Sequence, residues 1–306
     1  MTETAPSASR ELRPPPGYRL ADSVRPLTFS PYDPCARIAD GALWWATRTP
    51  DGPATLSLRP AGGAVVAEGY GPGGGWVVDR ADGIAGLRDD LTGFAELAAA
   101  HPVVARLAAR HHGLRMPATG LVFPRVLRAV FEQKVTGKEA YRAYAATVRH
   151  FGEPAPGPRQ PLLLPPDPAA VAAAPYWIFH PFGVEQRRAD TLRRAAALAD
   201  RLERCADAAE ATRRLTAVPG IGPWTAAEVV RVAYGDPDAV SVGDYHVPNT
   251  VAWALAGEAR ADDARMLELL APFRGHRGRV CVLLAAAGAQ APRYGPRMPI
   301  RSFARF

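Results

Sequence analysis

The sequence predicts a mainly α-helical protein carrying a small N-terminal α+β unit built on an antiparallel sheet. Three observations predict it. From residue 18 to 79, short apolar and aromatic runs alternate with turn-forming clusters. After Leu87 the pattern changes to Ala, Leu and Val repeats at helical spacing, which persist to about residue 288. Between two of those helical stretches stands "AVPGIGPWTAAEVV", residues 217–230, where a glycine turn opens directly into a helix.

Taken in order, residues 1–16 are polar and Pro-rich and are expected to be disordered. An N-terminal α+β domain is expected over 17–90. It begins with a helix within "PYDPCARIAD" and continues as strands in "ALWWATR", "ATLSLRP", "AVVAEGYG" and "GWVVDR", separated by "TPDGP", "AGG" and "GPGGG". The helical domain is expected over 91–290. Its helices are read at 91–110, 123–150, 186–204, 207–217, 223–234, 246–257, 261–270 and 276–287, with a Pro-rich linker or long loop at 153–176. Residues 291–306 form a basic C-terminal tail.

The 306 residues hold 37 Lys and Arg against 30 Asp and Glu, a net charge of +7, which favours a polyanionic partner such as nucleic acid. Nearly all the positive charge is arginine; Lys134 and Lys138 are the only lysines. Cys35, Cys205 and Cys281 lie far apart with no C-x-x-C spacing, which argues against a zinc site, a four-cysteine iron–sulfur cluster or a disulfide framework. No apolar run is long enough to span a membrane, and the N-terminus lacks the apolar core of a signal peptide. A cytoplasmic monomer without a metal is the expectation.

In the 217–230 segment, Gly220 and Gly222 are expected to supply unusual dihedrals and to let another backbone approach closely. Pro223 suits the first helical position, where its missing N–H is no loss. The free N–H groups and the positive end of the helix then favour a phosphate. Contacts of this kind hold nucleic acid in place without reading its sequence. The continuation "YGDPDAVSVGDYHV", residues 234–247, offers three aspartates. Asp236 and Asp238 read as solvated turn residues, and Asp244 reads either as a working carboxylate or as the N-cap of the next helix.

The run "L-x-x-x-P-G-I-G-x-x-T-A", bounded by Leu215 and Thr225 and followed by Asp244, resembles the helix–hairpin–helix of the DNA glycosylase superfamily. Within it the chain is similar to the AlkA-type 3-methyladenine DNA glycosylases. "LRAVFEQKVTGKEAYRAYAATVRHFG" resembles the family helix with a central glutamine, here Gln133. "FGVEQRRADTLRRAAALA" resembles the basic helix before the hairpin, and the β-rich N-terminal region fits the family's small α+β domain. The resemblance covers residues 18–290, most specifically 215–247.

It implies a helix–hairpin–helix glycosylase core that acts on duplex DNA containing alkylated bases. Asp244 is the implied catalytic carboxylate. Trp224 and Tyr245 are implied base-pocket aromatics; Gly220, Ile221, Gly222, Thr225, Gln133, Lys134 and Lys138 are implied DNA contacts. Lyase members of the superfamily carry a lysine where this chain has Trp224, so the resemblance implies a monofunctional enzyme. No dissociable cofactor is implied, apart from a monovalent cation held by carbonyls of the hairpin turn.

The chain departs from the family pattern at three places. Glu228, four after Trp224, stands where family members can have an aromatic; His276 stands near a family tryptophan; and Lys134 stands where the family has an apolar wedge. Lys134 and Lys138, four apart in the helix expected at 123–150, would share one face, either against DNA or in solvent. A non-catalytic DNA-damage binding module and a glycosylase for bulkier adducts are the alternative readings.

Overall fold

The computed structural model describes residues 5–158 and 162–292; the expected C-terminal tail lies outside these from residue 293 onward. Five strands form one antiparallel sheet: β1 (Ala8–Leu12), β2 (Ala36–Ala39), β3 (Ala42–Thr49), β4 (Gly52–Ala61) and β5 (Ala64–Tyr70), in the order β1-β5-β4-β3-β2. The β3–β4 and β4–β5 turns fall where "TPDGP" and "AGG" place them, with Thr49 opposite Gly52 and Ala61 opposite Ala64. Gly62 and Gly63 both take positive φ, the backbone that a two-residue hairpin turn requires.

Three N-terminal expectations are corrected. Part of the 1–16 segment is ordered: β1 pairs along β5, with Ala8 opposite Gly69 and Leu12 opposite Val65. The segment 31–40 is a turn followed by β2, not a helix. Asp33 accepts the backbone N–H groups of Phe29 and Cys35, diverting them from helical partners. Asp40 and Gly41, both at positive φ, then make a tight turn into β3. Finally, "GWVVDR" forms the short helix α2 (Gly74–Asp79), which buries Gly74, Val77 and Val78 on one face against the sheet. The close pairing depends on glycine: a Cβ at Gly69 would lie 2.1 Å from the Gly74 carbonyl oxygen. The other two short helices of this region are α1 (Leu20–Val24) and α3 (Ala81–Ile84).

The helical part divides into two cores. The larger gathers α6 (Phe123–Phe131), α7 (Gly137–Phe151), α8 (Pro168–Ala173), α9 (Gln186–Ala197), α10 (Ala199–Glu203), α11 (Ala208–Thr216) and α12 (Pro223–Ala233) around residues such as Phe131, Phe179, Leu192 and Leu215. The smaller joins α4 (Phe94–Ala99) and α5 (Pro102–Arg110) to α13 (Val247–Ala256), α14 (Asp263–Leu270) and α15 (Arg277–Ala286). Arg279 in α15 is fully buried and pairs with Asp89 through two guanidinium nitrogens, fastening this second core to the end of the N-terminal unit.

The expected helices at 91–110, 123–150 and 186–204 are each split in two. The break inside 123–150 bears on the site. Thr136 accepts the Glu139 backbone N–H while Glu139 accepts that of Thr136, a capping box that starts α7 afresh. Residues 132–136 therefore form a connection rather than helix, and Lys134 within it takes φ +55. Lys134 and Lys138 accordingly share no helix face. Among the described residues, no helix is long and apolar enough to cross a membrane.

Candidate active site and nucleic-acid interface

The hairpin between α11 and α12 is held from within by Leu215, Val218 and Ile221, all buried, and by the Ile221 N–H donating to the Val218 carbonyl (3.0 Å). Gly220 takes φ +99, and a Cβ there would stand 2.0 Å from Thr191 Oγ1 on α9. From the other side Gln133 donates through Nε2 to the Gly220 carbonyl (3.0 Å) and to Thr225 Oγ1 (2.9 Å). Gly222 differs from the sequence reading. Its backbone is extended, and nothing lies within 4 Å of where a Cβ would sit. The space over Gly222 is open to solvent, and no side chain caps the first turn of α12.

The implied DNA contacts thus divide by geometry. Gly220, Gly222 and the start of α12 present backbone outward. Ile221 is 4% exposed and Thr225 2%, so both act from beneath the turn. Gln133 braces the turn instead of projecting away from it. Lys134 and Lys138 are exposed. Two cations that sequence reading did not single out stand beside the turn. Arg194 reaches the Pro219 carbonyl (3.5 Å), and Arg187, one turn before Thr191 on the same face of α9, is also exposed. Their i, i+4, i+7 spacing with Thr191 was the available signal.

Asp244 follows Gly243 at φ +93, which turns the chain so that the carboxylate faces α12. Its Oδ1 accepts the N–H groups of His246 (2.7 Å) and Val247 (2.9 Å), and its Oδ2 accepts from Trp224 Nε1 (2.9 Å). Asp244 is thus tied at both oxygens, although the residue at the N-cap position of α13 is His246. One oxygen is held at the start of α13 and the other is clamped to the tryptophan, leaving a half-buried carboxylate of fixed orientation. Tyr245 stands outside this arrangement, 78% exposed, its ring edge-on to His246. It flanks the site rather than lining it.

Trp224, Glu228 and Arg231 follow one another at i, i+4, i+7 along α12, so Glu228 and Arg231 lie below Trp224. Glu228 accepts from Ser241 Oγ (2.5 Å) and pairs with Arg231, which also donates to Ser241 (3.0 Å). Burial alone would raise the Glu228 pKa; Arg231 and the Ser241 hydrogen bond outweigh it and hold the carboxyl below its usual range. Near this pair, α6 contributes Arg125 and Arg128, and Glu132 follows as its C-cap, within electrostatic reach of Glu228 and Arg231. Cys281 of α15 is within electrostatic reach of Arg231, Glu228 and Asp244, and burial pushes its thiol up to about 12.

One further sequence expectation, for Asp238, changes, while His276 packs as a histidine there more often does. Asp238 is no solvated turn residue: it accepts the backbone N–H groups of Gly275 and Arg277 and pairs with the Arg277 guanidinium at 2.5 and 2.8 Å. His276 packs on Phe94, with ring centroids 5.0 Å apart, and accepts from Arg279 Nε (3.0 Å). It belongs to the second core.

A helix–hairpin–helix, a clamped aspartate after it, and a sheet unit at the N-terminus together give the fold of the helix–hairpin–helix DNA glycosylases. A 3-methyladenine DNA glycosylase from Archaeoglobus fulgidus superposes with a TM-score of 0.75 at 19% identity, over 90% of this chain and 97% of that one. An 8-oxoguanine glycosylase/lyase from Clostridium acetobutylicum superposes with a TM-score of 0.70 at 11% identity, over 93% and 99%. In sequence, the chain is 29% identical over 234 residues to a Mycobacterium tuberculosis protein described as a probable bifunctional transcriptional activator/DNA repair enzyme AlkA. The match takes in 69% of this chain and 43% of that protein, so the chain spans under half the length of this curated relative. No family model matches. The resemblance to AlkA-type glycosylases read from the sequence holds in both the sequence match and the fold.

Proposed function

We propose that the chain is a monofunctional DNA glycosylase of base excision repair that removes alkylated, cationic purines by base flipping and hydrolysis. The observation that carries this reading is Asp244 with one oxygen fixed by the start of α13 and the other by Trp224 Nε1. Breaking the N-glycosidic bond sends its electron pair to the departing base and leaves oxocarbenium-like charge on the sugar. A preorganised carboxylate stabilises that charge where it develops and takes up the proton of the attacking water. A purine already cationic through alkylation leaves as a neutral base and needs little acid assistance.

Flipping requires a firm hold on the flanking backbone. In this reading the open backbone at Gly222 and the uncapped start of α12 take a phosphate. Arg187, Arg194, Lys134 and Lys138 supply the surrounding positive field, and Tyr245 packs against the opened strand. A monovalent cation at the turn is part of the proposal. The carbonyls of Thr216, Ala217 and Ile221 accept no hydrogen bond among the described residues, and oxygen donors of this kind suit a hard cation. With Trp224 at the position of the lyase lysine, no amine is placed to attack the sugar carbon, so no Schiff base forms.

The test is mass spectrometry of bases released from methylated duplex DNA, with the strand analysed before and after alkali. Wild-type protein should release alkylated purines and leave an intact abasic strand; Asp244→Asn should lower the excision rate at least about 10²–10³-fold, as loss of one preorganised electrostatic group does, while still binding DNA. Excision by Asp244→Asn at the wild-type rate would refute the catalytic assignment. A borohydride-trapped protein–DNA adduct would refute the monofunctional one, and tight binding without release by wild type would favour a non-catalytic damage-binding module.

A further inference from the structure

Asp244 is the last residue of a four-residue turn, and that turn is fastened at two places away from the carboxylate. The Asp244 N–H donates to the Ser241 carbonyl (3.2 Å), and Gly243, third in the turn, takes φ +93. At the start of the turn, the hydroxyl of the buried Ser241 donates to Glu228 Oε1 (2.5 Å) and accepts from Arg231 (3.0 Å). At its third residue, the Gly243 N–H meets both carboxylate oxygens of Asp263, at 3.0 and 3.1 Å. The first tether runs to α12 in the larger helical core, and the second to the first residue of α14 in the smaller one. Asp244 therefore stands on the joint between the two cores.

What each contact can fix follows from where its far end is anchored. The two N–H groups on Oδ1 belong to His246 and Val247, just beyond Asp244 in the chain, so they set the side-chain rotamer but travel with the loop. The bond from Trp224 Nε1 to Oδ2 reaches α12 directly, yet it is a single contact between two side chains. The separation of the carboxylate from the hairpin, which opens α12, depends on the backbone of the turn, and that backbone is held by the Ser241 and Gly243 tethers. Both tethers end on carboxylates, which accept stronger hydrogen bonds than neutral groups do. We infer that Glu228, through Ser241, and Asp263, through Gly243, are positioning residues that keep Asp244 in register with the hairpin; this rests on the glycosylase reading above. Glu228 stands where family members can have an aromatic, and an aromatic ring offers the Ser241 hydroxyl no acceptor of this strength.

The experiment uses Ser241→Ala and Asp263→Ala. Each removes one tether and leaves Asp244, Trp224 and the Glu228–Arg231 pair in place. Two readouts are taken that a loss of stability alone would not move. One is the single-turnover rate constant for release of 7-methylguanine from methylated duplex DNA, with protein in saturating excess; a smaller folded fraction lowers the amount of active protein but not this constant. The other is the Trp224 indole N–H resonance in isotope-labelled protein, assigned with Trp224→Phe, which reports the hydrogen bond to Asp244.

Misplacing a reacting group by about 1 Å costs on the order of 10²-fold, so each variant should slow release by about 10- to 100-fold. DNA affinity should stay at the wild-type level, since neither tether touches the hairpin, and the indole resonance should move. Asp263→Asn keeps an oxygen for the Gly243 N–H and should restore most of the rate. Release at the wild-type rate by Ser241→Ala and Asp263→Ala overturns the positioning role and leaves the glycosylase reading standing. Slowed release with an unmoved indole resonance overturns it too, because the loss would not have come through Asp244. Release of no base by wild type overturns both.

Discussion

The hairpin turn and the floor beneath Trp224, the buried Glu228–Arg231–Ser241 cluster, lie on either side of that residue, yet they hold opposite kinds of polarity. Before Trp224 the polar groups are backbone, facing open space above Gly222. After it they are side chains, Glu228 and Arg231, tied to one another and to Ser241. Backbone polarity survives any substitution that leaves the turn its shape, so the turn is constrained by fit, at Gly220 above all. Side-chain polarity is specific to residue and partner, so the floor is constrained by charge balance. In the proposed function a site must grip any sequence and still choose one base, which needs both, and here they are divided along the helix.

The sharpest way to break the floor is to remove one of its charges. Glu228→Gln leaves Arg231 with a neutral partner in a buried setting, and loss of one member of such a pair costs about 3–5 kcal/mol; we expect the lower end, about 3 kcal/mol in chemical denaturation, because the pair retains slight exposure. The sign with pH follows from the direction of the shift. The folded-state pKa of Glu228 lies below the ordinary glutamate value, so its contribution is present above that ordinary value and is lost as pH falls through the folded one. The deficit of Glu228→Gln should therefore be full at neutral pH and shrink in acid. An equal deficit at all pH values would mean that packing, not charge, holds the floor.

The hairpin breaks differently. Gly220→Ala puts a methyl group at φ +99 and against Thr191, and should cost about 2 kcal/mol. Gly222→Ala meets extended backbone and open space, so its stability should stay within about 0.5 kcal/mol of wild type. The two should invert in DNA binding measured on folded protein. Gly222→Ala should weaken affinity with no change in salt dependence, since it bars a backbone approach without removing a charge. Equal affinity for Gly222→Ala and wild type would place the phosphate elsewhere.

The same contrast governs what the sequence revealed. The turn was legible because Gly220, Pro223 and the following helix carry fixed backbone requirements, and Asp244 and Trp224 through the family resemblance of the motif around them. The β-hairpins at Thr49 and Ala61 were legible for the same backbone reason. Asp40–Gly41 is an equally good turn signal, but helical spacing in the residues before it masked it. The break at 132–136 was masked likewise: apolar periodicity runs through a Thr136–Glu139 capping box that restarts the helix. The parts that stayed hidden depend on distant partners. Nothing local shows that Gln133 reaches Gly220, that Asp238 clamps Arg277, or that Glu132 stands among four other charges.

Lys134 joins the two regions and gives the smallest effect. It is a non-glycine residue at φ +55, in the connection whose preceding residue braces the hairpin. Left-handed backbone costs an ordinary residue about 1 kcal/mol, which glycine avoids. If stability alone had shaped the position, Lys134→Gly would be an improvement, and unfolding should show a gain of up to about 1 kcal/mol, offset in part by the greater freedom of glycine in the unfolded chain. The exposed ammonium gives the strain its purpose in the proposed complex, where it meets a backbone phosphate beside the opened stack. Lys134→Gly should then reduce the slope of log affinity against log salt by about 0.9, the share of one phosphate contact on duplex DNA, equally on damaged and undamaged DNA. A gain in stability with an unchanged slope would separate Lys134 from the DNA and leave the positive field of the hairpin to Arg187 and Arg194.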